Sequence, residues 1–177
     1  VENTPPYGEL AEFITNVKSE SRQIHFLPPY RGETIIELSS LLGLVNSDVK
    51  PAASIELIKG VVKLKEIKSA EEIKDIEKAV DIAYEMHTTA MKMAKPGVVE
   101  QEIAGTIEGI SLALGGPVSF PIILSQDGQT LHNHYHGNVL EEGRMMVTDA
   151  GAETQECYSS DITRTVPVGG KFNDRQA

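Results

Sequence analysis

Two strand-like segments late in the sequence each contain an aspartate, and this pairing constrains the fold more than any other feature. The segments "RMMVTDAGAE" and "YSSDITRTVPV" are joined by a few polar residues and predict a β-hairpin. Aspartate is disfavoured in strands. Neighbouring strands can bring Asp149 and Asp161 close together on one face. Two partly desolvated like charges then need a bound cation, or one of them takes up a proton.

Carboxylate oxygens suit Mn²⁺ and Mg²⁺, and with an added histidine they suit Co²⁺ or Zn²⁺. A dinuclear site, with its ions roughly 3.5–4 Å apart, would use two such carboxylates most fully. In the alternative interpretation, Asp149 begins the turn through Gly151, and Asp161 caps a strand end or pairs with Arg164. The spacing alone leaves both interpretations open.

The first third of the sequence alternates between helical and strand patterns. Helical spacing marks "YGELAEFITNVKS" and "GETIIELSSLLGL", the second with Gly43 as its C-terminal cap. A short strand is predicted for "QIHFL", and "VKPAASIELIKGVV" predicts a short helix with an extended exit. These patterns indicate the final part of an α/β domain.

The pattern changes around residues 65–68. Ser69 and Glu72 form a capping box, and Pro96 and Gly97 end the helix that follows. We expect the apolar positions of this helix to lie in the core: Ile73, Ile76, Val80, Ala83, Tyr84 and Met91. A second helix is predicted for residues 100–114, and then "VSFPIILS" as a strand. Two helices followed by antiparallel strands make an α+β arrangement.

Composition narrows the classes of partner. The 177 residues carry a net charge of −10, which argues against a nucleic-acid partner. The chain has no stretch apolar enough for a membrane span and begins with no signal peptide, so we expect no membrane partner. Cys157 is the only cysteine, which favours a reducing compartment and a cytoplasmic location. Val1 at the start and Asn173 as the N-cap of a further helix suggest a fragment.

The segment "DAGAE…YSSDITRTVPVGGKF" resembles the metal-binding hairpin of the pita-bread metallopeptidases, which include aminopeptidase P, prolidase and, more distantly, methionine aminopeptidase. His132 precedes Asp149 by seventeen residues, as a histidine does in that family. The resemblance covers residues 62–172. It implies that residues 63–177 are the truncated first half of a pita-bread catalytic domain. Residues 1–62 look like the C-terminal part of a creatinase-type α/β N-terminal domain.

The resemblance implies that Asp149 and Asp161 bind two divalent metal ions, usually manganese, with cobalt or zinc as alternatives. Asp161 would bridge the ions, His132 would bind substrate or stabilise the tetrahedral intermediate, and Thr163 would orient a ligand. The aspartates are twelve residues apart whereas the family spacing is eleven, and we expect a longer turn within "TQECY" to absorb the difference. The family's remaining ligands, one histidine and two glutamates, lie beyond residue 177. The chain alone should therefore bind metal poorly and turn over no substrate.

The implied parent protein is an Xaa-Pro aminopeptidase, which acts on peptides with proline at position two and is compatible with a homodimer. The nearest alternative is prolidase, which cuts only dipeptides. An alternative from another class is a metal-free pita-bread module that binds peptides or proteins. Both that module and creatinase, a hydrolase that needs no metal on this fold, are disfavoured by the retention of both aspartates.

Other motifs compete weakly with this interpretation. The run "HNHYH" places His132, His134 and His136 at alternate positions and could form a zinc site, but it reads as a loop without a fourth ligand. We expect His25 and His87 to be structural or surface histidines, and Cys157 to be a small packing residue rather than a nucleophile. The run "VGGKF" lacks the spacing of a phosphate-binding loop.

Overall fold

The computed structural model describes residues 4–177 of the chain, which divides into two units, Val1–Ile67 and Lys68–Ala177. The predicted first domain begins in residues 1–3, which lie outside the described residues. Its assignment to a creatinase-type domain that ends near residue 62 stays a prediction. Within the described residues, no helix is both long enough and apolar enough to cross a membrane.

The first unit is built from short helices. A 3₁₀ turn, Tyr7–Glu9, leads into α1, and the helices are α1 (Leu10–Ser19), α2 (Gly32–Leu42), α3 (Asn46–Val49) and α4 (Ile55–Lys65). Gly43 ends α2 with a φ of 70°, which confirms the predicted cap.

Two local predictions in this unit were wrong. The segment "QIHFL" forms no strand, because within residues 4–67 no neighbouring strand lies beside it, and the carbonyl of Phe26 accepts from the loop N–H of Ser54 instead. The extended exit after α4 is also absent, since the helix continues to Lys65 and Glu66 keeps helical angles.

Two helices form one layer of the second unit. Helix α5 (Ala70–Met93) begins at the predicted capping box, in which the N–H of Glu72 donates to Ser69 Oγ at 3.2 Å and the N–H of Ser69 donates to Glu72 Oε2 at 2.7 Å. Helix α6 (Glu100–Leu114) has the predicted bounds.

A three-stranded antiparallel sheet forms the other layer, in the order β1 (Ile123–Ser125), β2 (Met145–Ala150) and β3 (Ile162–Pro167). Strands β2 and β3 confirm the predicted hairpin. Strand β1 is shorter than predicted. Pro121 has no N–H to donate to a ladder, and regular pairing begins two residues after it.

One face of the sheet packs against the helices. The core includes Met86 on α5, Ile103 and Ile107 on α6, and Leu124 and Met146 on the sheet. Along β2, Met146, Thr148 and Ala150 are buried, whereas the residues between them are more exposed. Because side chains alternate along a strand, Asp149 lies on the face turned away from the helices.

The expected core face of α5 was partly wrong. Its buried residues are Asp75, Ala79, Ile82, Ala83, Met86, His87 and Ala90, whereas Ile73, Val80, Tyr84 and Met91 are exposed. Helix α5 carries two apolar stripes at helical spacing. The stripe rich in alanine packs against the sheet, because small side chains let the helix approach the strands closely.

Candidate metal centre

Both predicted metal-binding aspartates line one cavity of about 340 Å³ on the open face of the sheet. The other residues that line it are His132, His134, Phe120, Pro121 and Ile123. The structure therefore brings together the three predicted site residues, His132, Asp149 and Asp161, and adds His134 to them.

The strand register places the two carboxylates. Asp149 pairs with Ile123 on β1 and with Thr163 on β3. Thr163 Oγ1 donates a hydrogen bond of 2.8 Å to Asp149 Oδ1. Asp161 lies two residues before Thr163 and directly precedes β3, so it shares the face of Thr163 and Asp149. The predicted contact of Thr163 with Asp149 is present, and the roles of both residues at a metal stay predictions.

A close backbone approach keeps the two aspartates near each other. A Cβ atom at Gly151 would lie 1.8 Å from the carbonyl oxygen of Ser160 and 2.7 Å from Ser119 Oγ. Ser119 holds both segments, because its N–H donates to the carbonyl of Gly151 at 3.0 Å and its Oγ donates to the carbonyl of Ser160 at 2.6 Å. Only glycine fits at position 151, and this contact fixes the neighbouring Asp161 relative to Asp149.

The interpretation of Asp161 as an ion-pair partner of Arg164 finds no support. Among the described residues these two side chains form no ion pair, and Arg164 Nη1 donates to the carbonyl of Thr163 at 2.8 Å. Asp161 is exposed at the cavity, and Asp149 is half-buried.

Helix α5 contacts strand β2 beside Asp149 through His87. This buried side chain donates from Nε2 to the carbonyl of Ala150, the residue after Asp149, at 3.1 Å. Its Nδ1 and the hydroxyl of Thr148 are both buried without a partner among the described residues. The expectation of a structural histidine is confirmed. The helical spacing of His87 from Ala79, Ala83 and Ala90 was the signal that could have placed it against the sheet.

The β2–β3 connection is attached to α5 at three further points. Ser160 Oγ donates to the carbonyl of Ala79 at 2.8 Å, Thr154 Oγ1 donates to Asp75 Oδ2 at 2.9 Å, and Tyr158 OH donates to Glu72 Oε1 at 2.8 Å. Thr154 and Tyr158 bracket residues 155–157, the turn expected to absorb the additional residue. These contacts hold the backbone that leads into Asp161.

Two of these acids carry shifted pKa values. The ammonium of Lys78, 2.6 Å from Asp75, lowers the pKa of that carboxyl group, and Thr154 adds to the effect while burial opposes it. The backbone N–H of Ser69 and the hydroxyl of Tyr158 lower the pKa of Glu72. In return, the hydrogen bond to Glu72 raises the pKa of Tyr158. These directions favour a charged attachment between α5 and the turn at neutral pH.

The loop that carries the histidines places only part of the "HNHYH" motif at the centre. His132 is exposed and has a φ of 54°, a backbone conformation uncommon outside glycine. His134 faces the same cavity, whereas the Nδ1 of His136 lies 3.1 Å from the carbonyl of Leu124. Residues 4–177 contain no group of three or more His, Cys, Asp or Glu side chains placed to hold a metal ion. The alternative of a three-histidine zinc site therefore finds no support.

The donor set fits part of a divalent-metal site. Two carboxylates on one cavity, one of them oriented by a hydroxyl, are the hard oxygen ligands that such ions prefer. Asp149 and Asp161 would hold the metal, and described residues supply no third ligand.

Comparison with solved structures defines the fold. An aminopeptidase from Pseudomonas aeruginosa has a TM-score of 0.77 at 20% identity, with 99% of this chain and 41% of that one covered. An Xaa-Pro dipeptidase from Bacillus anthracis has a TM-score of 0.71 at 26% identity, with 94% of this chain and 45% of that one covered. The fold is that of the pita-bread peptidases, and the predicted fold class is confirmed.

Sequence comparison gives the family. The model of metallopeptidase family M24 matches residues 74–177. The Xaa-Pro aminopeptidase of Escherichia coli K12 is 34% identical over an alignment of 129 residues, with 71% of this chain and 29% of that protein covered. A probable Xaa-Pro aminopeptidase of Chaetomium globosum is 35% identical over an alignment of 109 residues, with 60% of this chain and 18% of that protein covered. The chain belongs to metallopeptidase family M24, whose members use divalent metal ions, and it spans less than a third of these two relatives.

Proposed function

We propose that the intact protein is an Xaa-Pro aminopeptidase, a metal-dependent exopeptidase that releases the first residue of peptides with proline at position two. The observation that carries this proposal is the shared cavity of Asp149, Asp161 and His132 on the open face of a pita-bread sheet. The relatives named as Xaa-Pro aminopeptidases support the choice of substrate.

In this proposal Asp149 and Asp161 would hold two divalent ions, manganese by preference and cobalt or zinc as alternatives. When bound, such ions polarise a carbonyl group and make a hydroxide nucleophile available near neutral pH. Thr163 donates to Asp149 Oδ1, and this hydrogen bond would orient the carboxylate as a metal ligand. Asp161, at the same cavity, would supply the second carboxylate.

The remaining side chains of the cavity act on the peptide. His132, exposed beside the carboxylates, donates an imidazole N–H to the scissile carbonyl and to the negative charge that develops on its oxygen. Phe120, Pro121 and Ile123 also line the cavity and offer an apolar surface to the peptide. Completion of the ligand set by residues after 177, and the inactivity of residues 1–177 alone, belong to the same proposal.

The proposal is tested by hydrolysis of Xaa-Pro peptides by the intact protein. We expect the wild type to release the first residue of a tripeptide with proline at position two, and Asp161→Ala to abolish this activity. Undiminished hydrolysis by the variant would reject the assignment of Asp161.

Prolidase activity is the second candidate, because the dipeptidase of Bacillus anthracis shares the fold at 26% identity. A comparison of Ala-Pro with Ala-Pro-Ala as substrates separates the two. Hydrolysis of the dipeptide alone would indicate prolidase, whereas hydrolysis of the tripeptide supports the aminopeptidase. A cytoplasmic location and a homodimer remain expectations.

A further inference from the structure

Glu100, the first residue of α6, is a fully buried carboxylate for which the proposed mechanism has no use. Its Oε1 accepts from the hydroxyl of Ser125 at 3.1 Å and from the backbone N–H of Gln126 at 2.8 Å. Its Oε2 accepts from the side-chain amide of Asn138 at 3.1 Å. A buried carboxylate is costly unless donors surround it, and here three donors converge on one side chain.

The partners of Glu100 lie at the two ends of the histidine loop, residues 127–137. Ser125 and Gln126 immediately precede this loop, and Asn138 immediately follows it. The backbone adds a fourth contact, because the N–H of Glu100 donates to the carbonyl of Asn138 at 3.0 Å. Glu100 therefore joins the start of the histidine loop to its end.

Gln126 also joins the two ends of the histidine loop. Its side-chain amide donates to the carbonyl of Val139 at 2.9 Å, and its Oε1 accepts from the N–H of Glu141 at 3.0 Å. Both ends of the histidine loop are thus attached to one buried network that is centred on Glu100.

The histidine loop itself has no regular secondary structure, and His132 sits within it at a φ of 54°. A non-glycine residue keeps such a conformation only where the surrounding structure imposes it. The direction of the His132 imidazole therefore depends on where the two ends of the loop are held.

We propose that Glu100 is a positioning residue for His132: by joining the two ends of the histidine loop, it holds the imidazole over the cavity of Asp149 and Asp161. The effect of Glu100 on kcat depends on the proposed peptidase function. The anchoring of the histidine loop does not depend on it, so kcat and amide hydrogen exchange of the loop are measured separately.

The test uses Glu100→Gln in the intact protein, with Glu102→Gln as the matched control. Glutamine keeps the shape of the side chain, but its NH₂ group cannot accept from Asn138 or Ser125. Glu102 lies in the same first helical turn and is exposed. We expect Glu100→Gln to increase amide hydrogen exchange in residues 127–137 and to lower kcat about 10- to 100-fold, with metal content retained. Glu102→Gln should change neither property.

A double mutant separates positioning from general destabilisation. If Glu100 acts through His132, then Glu100→Gln should cause no further loss of kcat in a His132→Ala background. An equal loss in both backgrounds would overturn the proposal, and so would unchanged loop exchange.

The proposal can still be tested if Glu100→Gln does not fold or if the wild type is inactive. If Glu100→Gln does not fold, Asn138→Ala removes one donor from the same carboxylate and should produce the same loop exchange and the same non-additivity with His132→Ala. If the wild type hydrolyses no Xaa-Pro peptide, the proposed function fails. Faster exchange of residues 127–137 in Glu100→Gln would then still support the anchoring of His132, and unchanged exchange would overturn it.

Discussion

Thr163 Oγ1 and Asp149 Oδ1 are joined by a 2.8 Å hydrogen bond across the β2–β3 ladder. This bond links the backbone pairing of the hairpin directly to the orientation of a proposed metal ligand. The two residues are directly opposite in the register, so the hairpin that positions the aspartates also supplies the donor that orients one of them.

Thr163→Val keeps the shape of the side chain and removes the donor. We expect metal affinity in the intact protein to fall about tenfold or more, because a donor that orients a ligand is lost. Stability should change by only ~1 kcal/mol. Calorimetric titration with Mn²⁺ measures the affinity, and Thr165→Val, on the same exposed face of β3, is the control. Equal affinities of wild type and Thr163→Val would show that the hydrogen bond does not orient a ligand.

Two glycine substitutions should change stability in opposite directions. An added Cβ at Gly151 meets the carbonyl of Ser160 at 1.8 Å, so Gly151→Ala should destabilise the protein by about 1–3 kcal/mol or more. Gly105, in the interior of α6, has open space around it, so Gly105→Ala should stabilise by about 0.5–1 kcal/mol. Chemical denaturation measures both. A neutral effect of Gly151→Ala would contradict the close approach that positions Asp161.

The attachment of the β2–β3 turn to α5 should contribute less to stability both at low pH and at high pH. The folded-state pKa values of Glu72 and Asp75 are lowered, so their contribution is present above the unfolded values near 4.5 and 3.8 and is lost as pH falls through the folded ones. The folded-state pKa of Tyr158 is raised, so its contribution is present below about 10 and is lost as pH rises through the folded value.

Tyr158→Phe tests this attachment. The variant removes one of the two donors that lower the pKa of Glu72, so the loss of stability on acidification should become shallower. The loss above pH 10 should become smaller, and the part that remains comes from Lys78, whose pKa is raised by Asp75. Denaturation midpoints measured from pH 3 to pH 11 give the comparison, with Tyr84→Phe on the exposed face of α5 as the control. Superimposable profiles for wild type and Tyr158→Phe would refute the contribution of this contact.

His132→Ala should separate catalysis from metal binding. As a substrate-facing donor, His132 affects charge that develops in the transition state, so kcat should fall about 100-fold or more while the metal content stays near that of the wild type. Steady-state kinetics and elemental analysis give the two quantities, and His25→Ala, in the first unit, is the control. Parallel loss of both properties would make His132 a metal ligand instead.

Local signals predicted much of this structure. The capping box of α5, the bounds of α6 and the β2–β3 hairpin each follow from residues close together in the sequence, and each was confirmed. The predicted strand "QIHFL" failed because a strand needs a partner, and short-range patterns do not say whether one is present.

The residues that support the centre were harder to predict, because their contacts span long stretches of the chain. The burial of Glu100 depends on Ser125, Gln126 and Asn138, and the role of His87 depends on the carbonyl of Ala150. Helix α5 also carries two apolar stripes, so periodicity alone could not show which one meets the sheet. The sequence pattern that recurs in pita-bread enzymes, in contrast, selected His132, Asp149 and Asp161, and these three residues line one cavity.

The proposed metal centre is tested most directly by counting the manganese ions that the intact protein binds after reconstitution. The count is compared among the wild type, Asp161→Ala and the control Asp81→Ala, which lies on the exposed surface of α5. We expect two ions per molecule for the wild type and the control, and a clear loss for Asp161→Ala. An equal metal content in all three proteins, or a wild type that binds no metal, would contradict this expectation; the second result would favour a metal-free module that binds peptides.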